Sequence, residues 1–252
     1  MSVDIRADGA VLTVTLDRPE KLNALRGEDI EALRAGIGEL GGARAIVFRG
    51  AGGRAFSAGV DVTEFLALDS PDAAREFISA LRAMLADVRR APVTTLAVID
   101  GACVGAAFEL ALACDLRVVT TRSRLGLPEI RLGIPSVVDA SLLQQYVGLG
   151  VAKDLVLTGD LLEATDPRLA GLSTRLVDPS DLDRTTEELL ARVTGHTPTV
   201  LAAQKRLFET WQNTTLEQGI EISVEEFAGV FEAGETRTAL HRYGVEHGIT
   251  PG

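Results

Sequence analysis

A single charge interrupts a long apolar stretch. From Ile99 to Asp115 the chain reads Ile-Asp-Gly-Ala-Cys-Val-Gly-Ala-Ala-Phe-Glu-Leu-Ala-Leu-Ala-Cys-Asp, and between Gly105 and Cys114 its only charge is Glu109. Residues 105–113 therefore read as a buried helix, entered from an apolar strand over 93–99 through Asp100-Gly101. A carboxylate is expensive to bury without a partner. Glu109 thus marks a site of chemistry, or, more plainly, an exposed helical edge or a pair with an arginine.

The surrounding pattern sets the fold class. Val11-Leu-Thr-Val-Thr-Leu16 alternates as a half-buried strand does, and Val3–Ala7 is expected to pair with it across Asp8-Gly9. The spacing predicts an amphipathic helix over 28–40, a buried strand over 44–49 and a long helix from Pro71 to about Arg90 with Ser70 as N-cap. A strand at 116–120 follows the apolar helix. Beyond residue 136 the periodicity is helical (138–147, 150–158, 181–193, 199–212, 215–232 and 235–243), with no convincing strand in the last third. The expectation is an α/β core over 1–195 and a helical region over 196–252. Gly50-Ala-Gly-Gly lacks the Gly-Lys-Ser/Thr ending of a phosphate loop, and Gly148-Leu-Gly150 lacks a third glycine; both read as turns.

Composition removes several functions. The 252 residues carry a net charge of −11, which opposes binding to nucleic acid or to an anionic membrane surface. With 8 Phe, 2 Tyr and 1 Trp there is little material for a base-stacking platform. Two cysteines, Cys103 and Cys114, make neither a disulfide framework nor a four-cysteine zinc site, and none of the three histidines has metal-ligand spacing. No metal is expected. The first residues lack a signal-peptide pattern and no apolar run reaches the roughly 18 residues of a membrane span, so a cytoplasmic protein is the expectation.

Two further stretches carry chemistry. In Ala55-Phe-Ser-Ala-Gly-Val-Asp61 small residues flank Gly59, so that backbone N–H groups can approach a ligand; a tight strand-to-loop turn is the plain reading. In Leu125-Gly-Leu-Pro-Glu129-Ile a second carboxylate stands in an apolar setting. Two carboxylates whose surroundings differ can divide acid and base work between them.

Together with Arg18-Pro-Glu-Lys-Leu-Asn-Ala-Leu25, Leu157-Thr-Gly-Asp160 and Ala170-Gly-Leu172, these stretches resemble, in order, the signatures of the crotonase, or enoyl-CoA hydratase/isomerase, superfamily. The resemblance implies a spiral of ββα units with a helical C-terminal trimerisation region, as a homotrimer or a dimer of trimers. It implies an acyl-CoA thioester substrate and no separate cofactor, coenzyme A being part of the substrate. By position, the N–H groups of Val60 and Ala106 would hold the thioester oxygen and stabilise the enolate. Glu109 and Glu129 would hold a water, the first as base, the second delivering a proton to Cα of a trans-2-enoyl-CoA. Leu22, Ala24, Ala58, Gly59, Asp61, Val62, Gly105 and Pro128 fall at positions that contact CoA or the acyl group. Lys21 and Arg18 are candidates for the CoA phosphates, with a solvated surface as the equal alternative. Lys205 and Phe208 are candidates to reach a CoA site within the subunit or across a trimer.

The pattern also departs from the family's. Gly105-Ala106-Ala107 replaces a triple glycine, adding two methyl groups near the thioester. After the second glutamate, Val137, Val138 and Asp139 replace glycines, with Asp139 read as a helix-surface acid in preference to a third acid in the pocket. Hydration is the leading expectation. Double-bond isomerisation, decarboxylation or thioester hydrolysis on the same scaffold come next, and a non-catalytic RNA-binding or interaction homologue after those.

Overall fold

In the computed structural model, which describes residues 2–232 and 234–249, strands are laid down in pairs. The hairpin β1 (Val3–Asp8) and β2 (Val11–Leu16) leads to helix α1 (Gly27–Gly38). Strands β3 (Ala45–Gly50) and β4 (Ala55–Ser57) are followed by α2 (Val62–Leu66) and α3 (Pro71–Arg90). Strands β5 (Thr94–Ile99) and β6 (Ala102–Val104) are followed by α4 (Ala106–Ala113). Strands β7 (Leu116–Thr120) and β8 (Arg124–Gly126) lead, through 3-10 turns, to α5 (Leu143–Thr158). The first strand of each later pair joins a six-stranded sheet, order β1-β2-β3-β5-β7-β10, parallel from β2 onward. The second joins a four-stranded sheet, order β4-β6-β8-β9. Repeated ββα units wind as the expected spiral. Strands β9 (Leu162–Glu163) and β10 (Arg175–Val177) close the two sheets, and helices α6 (Leu182–Gly195), α7 (Pro198–Asn213), α8 (Leu216–Gly229) and α9 (Glu235–Glu246) follow.

The long elements lie where the hydrophobic periodicity put them. Ser70 caps α3, its hydroxyl accepting from the Ala73 N–H at 3.2 Å, and β2 buries alternate residues. The second sheet has no such signature. Three-residue strands such as β4, β6 and β8 span too few alternations to show a period, and β10 stands in a third of the chain that reads as strandless. Residues 138–147 and 150–158 merge into a 3-10 turn at Val138–Leu142 and one helix kinked at Gly148.

All eight residues of α4 are buried. The helix lies in the main core, where its Phe108 joins Phe48, Phe56, Met84 and Leu85 in one buried cluster. Each such side chain contributes about 1.5–3 kcal/mol by leaving water. A smaller cluster packs Leu182 and Leu189 of α6 on the outer face of the large sheet. Asp29, fully buried, accepts from the Ser2 N–H and hydroxyl and from Arg26, tying the first strand to α1.

Asn23 pins the first motif to the spiral. Its amide donates to Ala51 O, Ala55 O and Phe56 O at 3.0, 2.9 and 3.3 Å, and its oxygen accepts from the Arg18 N–H at 3.0 Å. Its φ of +58° is one that asparagine tolerates better than most residues. Replacing Asn23 by Ala leaves carbonyls without donors, and a loss of about 2–4 kcal/mol is expected in urea unfolding.

Candidate active site

Two loops of the spiral press together at a pair of glycines. Gly59 (φ +88°) follows β4 and Gly105 (φ +60°) follows β6. A methyl group on Gly59 would lie 2.6 Å from Val104 O and 3.2 Å from Ala106 N; one on Gly105 would lie 2.8 Å from Glu129 Oε1. A side chain at Gly59 would meet fixed backbone, one at Gly105 would push the Glu129 carboxylate aside, and both positions use a conformation that favours glycine. Behind them Leu25 bridges to the Gly59 loop: its N–H donates to Gly59 O at 2.7 Å, and its carbonyl accepts from the Asp61 N–H at 2.8 Å. This bridge turns the Val60 N–H away from Leu25. The Phe108 and Glu109 N–H groups both donate to Gly105 O, which leaves Ala106 at the open start of α4. Among the described residues neither the Val60 nor the Ala106 N–H has a protein acceptor. The N-terminal end of a helix also favours developing negative charge.

Both residues line a cavity of about 110 Å³. Glu109 and Glu129 share its wall, with Ala58, Val62, Gly105 and Pro128. Phe65 from α2, Ile78 and Leu81 from α3, and Leu132, Ile134 and Val137 from the loop after β8 make the rest largely apolar. Periodicity marks Ile78 and Leu81 as core; only the packing of α3 against α4 shows that they border a cavity.

Glu109 is 3% exposed, and among the described residues no arginine or other side-chain donor pairs with it. Burial, reinforced by the nearby charges of Glu129 and Asp139, pushes its carboxyl well above the usual carboxylate range, with the Ala140 N–H opposing them. The Ser136 hydroxyl donates to Glu129 Oε2 at 2.6 Å and orients that carboxylate. Ser136 carries no signal of its own in the sequence: a lone serine after a proline reads as an ordinary turn residue. Asp139 is not a surface acid. It is 5% exposed and accepts from Arg89, and it stands outside the cavity wall. The turn that carries it packs against α4, so an acid predicted on a helix surface lies inside.

A sequence profile of the enoyl-CoA hydratase/isomerase family matches residues 6–248. The chain belongs to that family. It is 26% identical over 243 residues to the short-chain-enoyl-CoA hydratase of Clostridium acetobutylicum, covering 95% of this chain and 93% of the relative. It is 31% identical to the enoyl-CoA isomerase/hydratase fer4 of Mycosarcoma maydis, covering 92% and 89%. The crystal structure of enoyl-CoA hydratase from Thermoplasma volcanium superposes with a TM-score of 0.89 at 26% identity, covering 96% of this chain and 97% of that one.

As a member of the enoyl-CoA hydratase/isomerase family, the chain brings together at the cavity the two glutamates and Ala58, Val60, Val62, Gly105, Ala106 and Pro128. Leu22, Ala24, Gly59 and Asp61 stand in the seam beside the wall: the Ala58 N–H donates to Leu22 O at 2.9 Å, and Gly59 receives the Leu25 bridge. Only one of the two added methyl groups borders the cavity, that of Ala106; Ala107 is fully buried in the core. Arg18 is committed to Asp61 at 2.7 Å, whereas Lys21 is exposed and forms no ion pair among the described residues. Lys205 is turned inward, donating to Val93 O at 2.9 Å and to Asp115 Oδ2 at 2.7 Å. Phe208 is exposed, edge-on to Trp211. No helix among the described residues is long and apolar enough to cross a membrane.

Asp61 caps α2. The Thr63 N–H and hydroxyl donate to it at 3.1 and 2.8 Å, and with Arg18 they draw its carboxyl down from 3.8 to about 2. A carboxyl lowered on folding adds stability that is present above its unfolded value and is lost as pH falls through the folded one. Asp61→Asn is therefore expected to be less stable than the parent at pH 7, with the difference closing between pH 3.8 and about 2; urea unfolding across that window checks it.

Proposed function

We propose that this chain is an enoyl-CoA hydratase, adding water across the double bond of a trans-2-enoyl-CoA. The observation that carries the reading is the pair Glu109 and Glu129 on one cavity wall that also holds two unpaired backbone N–H groups, those of Val60 and Ala106. The thioester oxygen accepts from both N–H groups. A water held between the carboxylates gives a proton to Glu109 as its oxygen bonds to Cβ, and the electron pair of the double bond moves toward the thioester oxygen. Glu129, which enters the step as the carboxylic acid, gives that proton to Cα, the thioester carbonyl re-forms, and the proton taken up by Glu109 returns to Glu129 after product leaves. Charge on the oxygen in the enolate-like state meets donors already in place, which is where one such contact is worth about 3–4 kcal/mol. The raised proton affinity of Glu109 makes its ionised form a stronger proton acceptor than an ordinary carboxylate.

The apolar wall suits an acyl chain, and its closure by Phe65, Ile78 and Leu81 favours a short one. With Arg18 engaged by Asp61, Lys21 is the first candidate for the CoA phosphates. Residues 1–195 would form the catalytic spiral and 196–252 the oligomerisation region. The apolar side chains exposed on α7 and α8, among them Phe208, Trp211, Leu216, Ile220 and Phe227, support a trimer or a dimer of trimers.

Crotonyl-CoA should lose its enone absorbance in the presence of the protein. Glu109→Gln and Glu129→Gln should each lower kcat by about 10²–10⁴, as expected for the loss of a proton-transfer group. Migration of the double bond without water uptake, or full activity in Glu109→Gln, would sink the assignment. Gly105→Ala should also lower kcat with the fold retained, since its methyl would displace the Glu129 carboxylate; circular dichroism alongside kinetics checks it.

A further inference from the structure

Hydration as drawn above leaves one buried acid beside the site without a task. Asp139 lies in the 3-10 turn Val138–Leu142, which packs on α4. Its carboxylate accepts from Arg89 in the last turn of α3. Arg89 Nε in turn faces Glu209 Oε1 of α7 at 3.3 Å, and the other Glu209 oxygen faces Arg90 Nε at 3.8 Å. A row of charged groups thus runs from the turn beside Glu109 to the C-terminal helices. The next residue in the turn, Ala140, donates its N–H to Val137 O at 3.0 Å, and that same N–H lies toward the Glu109 carboxyl and tempers its raised proton affinity.

Such a row is a poor device for stability. A buried ion pair often contributes no more than well-packed apolar residues of the same volume. Its other consequence here is electrostatic, because among the described residues Glu129 and Asp139 are the charges that act on Glu109.

We propose that Asp139 is a positioning residue for Glu109: with Arg89 and Glu209 it fixes the turn that meets the Glu109 carboxyl and sets the local charge against which that carboxyl exchanges its proton. The proposal rests on the reading of Glu109 as the base, but its physical content does not require the hydration step. Glu109 is faced by few groups. Glu129 approaches from the turn after β8, and Asp139 from the turn before α5. Arg89 of α3 pairs with Asp139 and does not act on Glu109 directly, with Glu209 of α7 and the exposed Arg90 behind it. Negative charge on Asp139 favours the protonated form of Glu109, and Arg89 trims that effect. Glu209 draws on Arg89 in its turn, so a change on α7 reaches the catalytic carboxyl through two contacts.

The sign follows. Removing the Asp139 charge lowers the pH at which Glu109 takes up its proton, and the acidic limb of kcat/KM moves down with it. The expected displacement in Asp139→Asn is about 0.5–1 pH unit, the size of one charge several ångströms away at an effective dielectric of about 20, reduced by its partner. Asp139→Glu should return the limb toward the parent. Glu209→Gln, which changes a partly exposed residue and serves if Asp139→Asn does not fold, should move it the same way by less, because Arg89 is then left to Asp139 alone. In parallel, the Glu109 carboxyl is titrated directly by isotope-edited infrared difference spectroscopy, using Glu109→Gln to assign the band. If the parent protein hydrates no enoyl-CoA and the band still shifts in Asp139→Asn, the hydratase reading falls and the positioning role stands. If Glu109 titrates identically in the parent, Asp139→Asn and Glu209→Gln, whatever happens to thermal stability, Asp139 is only structural and the proposal is overturned.

Discussion

The close approach of two backbones at Gly59 and Gly105 is the constraint on which the site depends. The Gly59 loop can lie against Val104 O and the start of α4 only because no side chain intervenes. That contact sets Val60 beside Ala106, on successive turns of the spiral. The Leu25 bridge and the Asn23 amide hold the loop from behind, so strain in the left-handed residues Leu22 and Asn23 is opposed by several hydrogen bonds. Gly105 has a second duty, since the space that a methyl group would take is where the Glu129 carboxylate comes in.

The chemistry has an electrostatic counterpart. Glu109 stands alone on an otherwise apolar helix, without a basic partner, and burial keeps its proton affinity high. Glu129 is held differently, by one hydroxyl from Ser136. Two carboxylates in unlike settings are what a reaction needs when one group must accept a proton and the other give one. The arginine that could have neutralised the site, Arg89, is spent one layer out, on Asp139 and Glu209. Lys205 is spent likewise on Asp115 and Val93 O, buried under α7 in place of meeting a CoA phosphate.

What was legible in the chain divides by length and by partner. Strands of five or six residues and helices of ten or more carry enough alternations to declare themselves, so β2, β3, β5, β7, α1 and α3 fall close to their expected bounds. Strands of three residues carry none, and the four-stranded sheet that seats the Gly59 and Gly105 loops became visible only as pairing between β4, β6 and β8. Charged side chains were the least legible. Arg18, Asp139 and Lys205 each read as a surface or ligand-facing group, and each is tied to a partner far away in sequence.

The sequence by itself determined the α/β class, the ordered signatures of the family, and the apolar helix with one acid inside it. These follow from local periodicity and from glycines whose left-handed backbone other residues adopt only at a cost. Tertiary structure alone decided that Glu109 and Glu129, twenty residues apart, share one cavity wall, that Ser136 orients the second, and that Asp139 lies buried beside the first. Those facts depend on which segments meet when successive turns of the spiral stack. A linear pattern carries the period of each segment but not the identity of the segment packed against it.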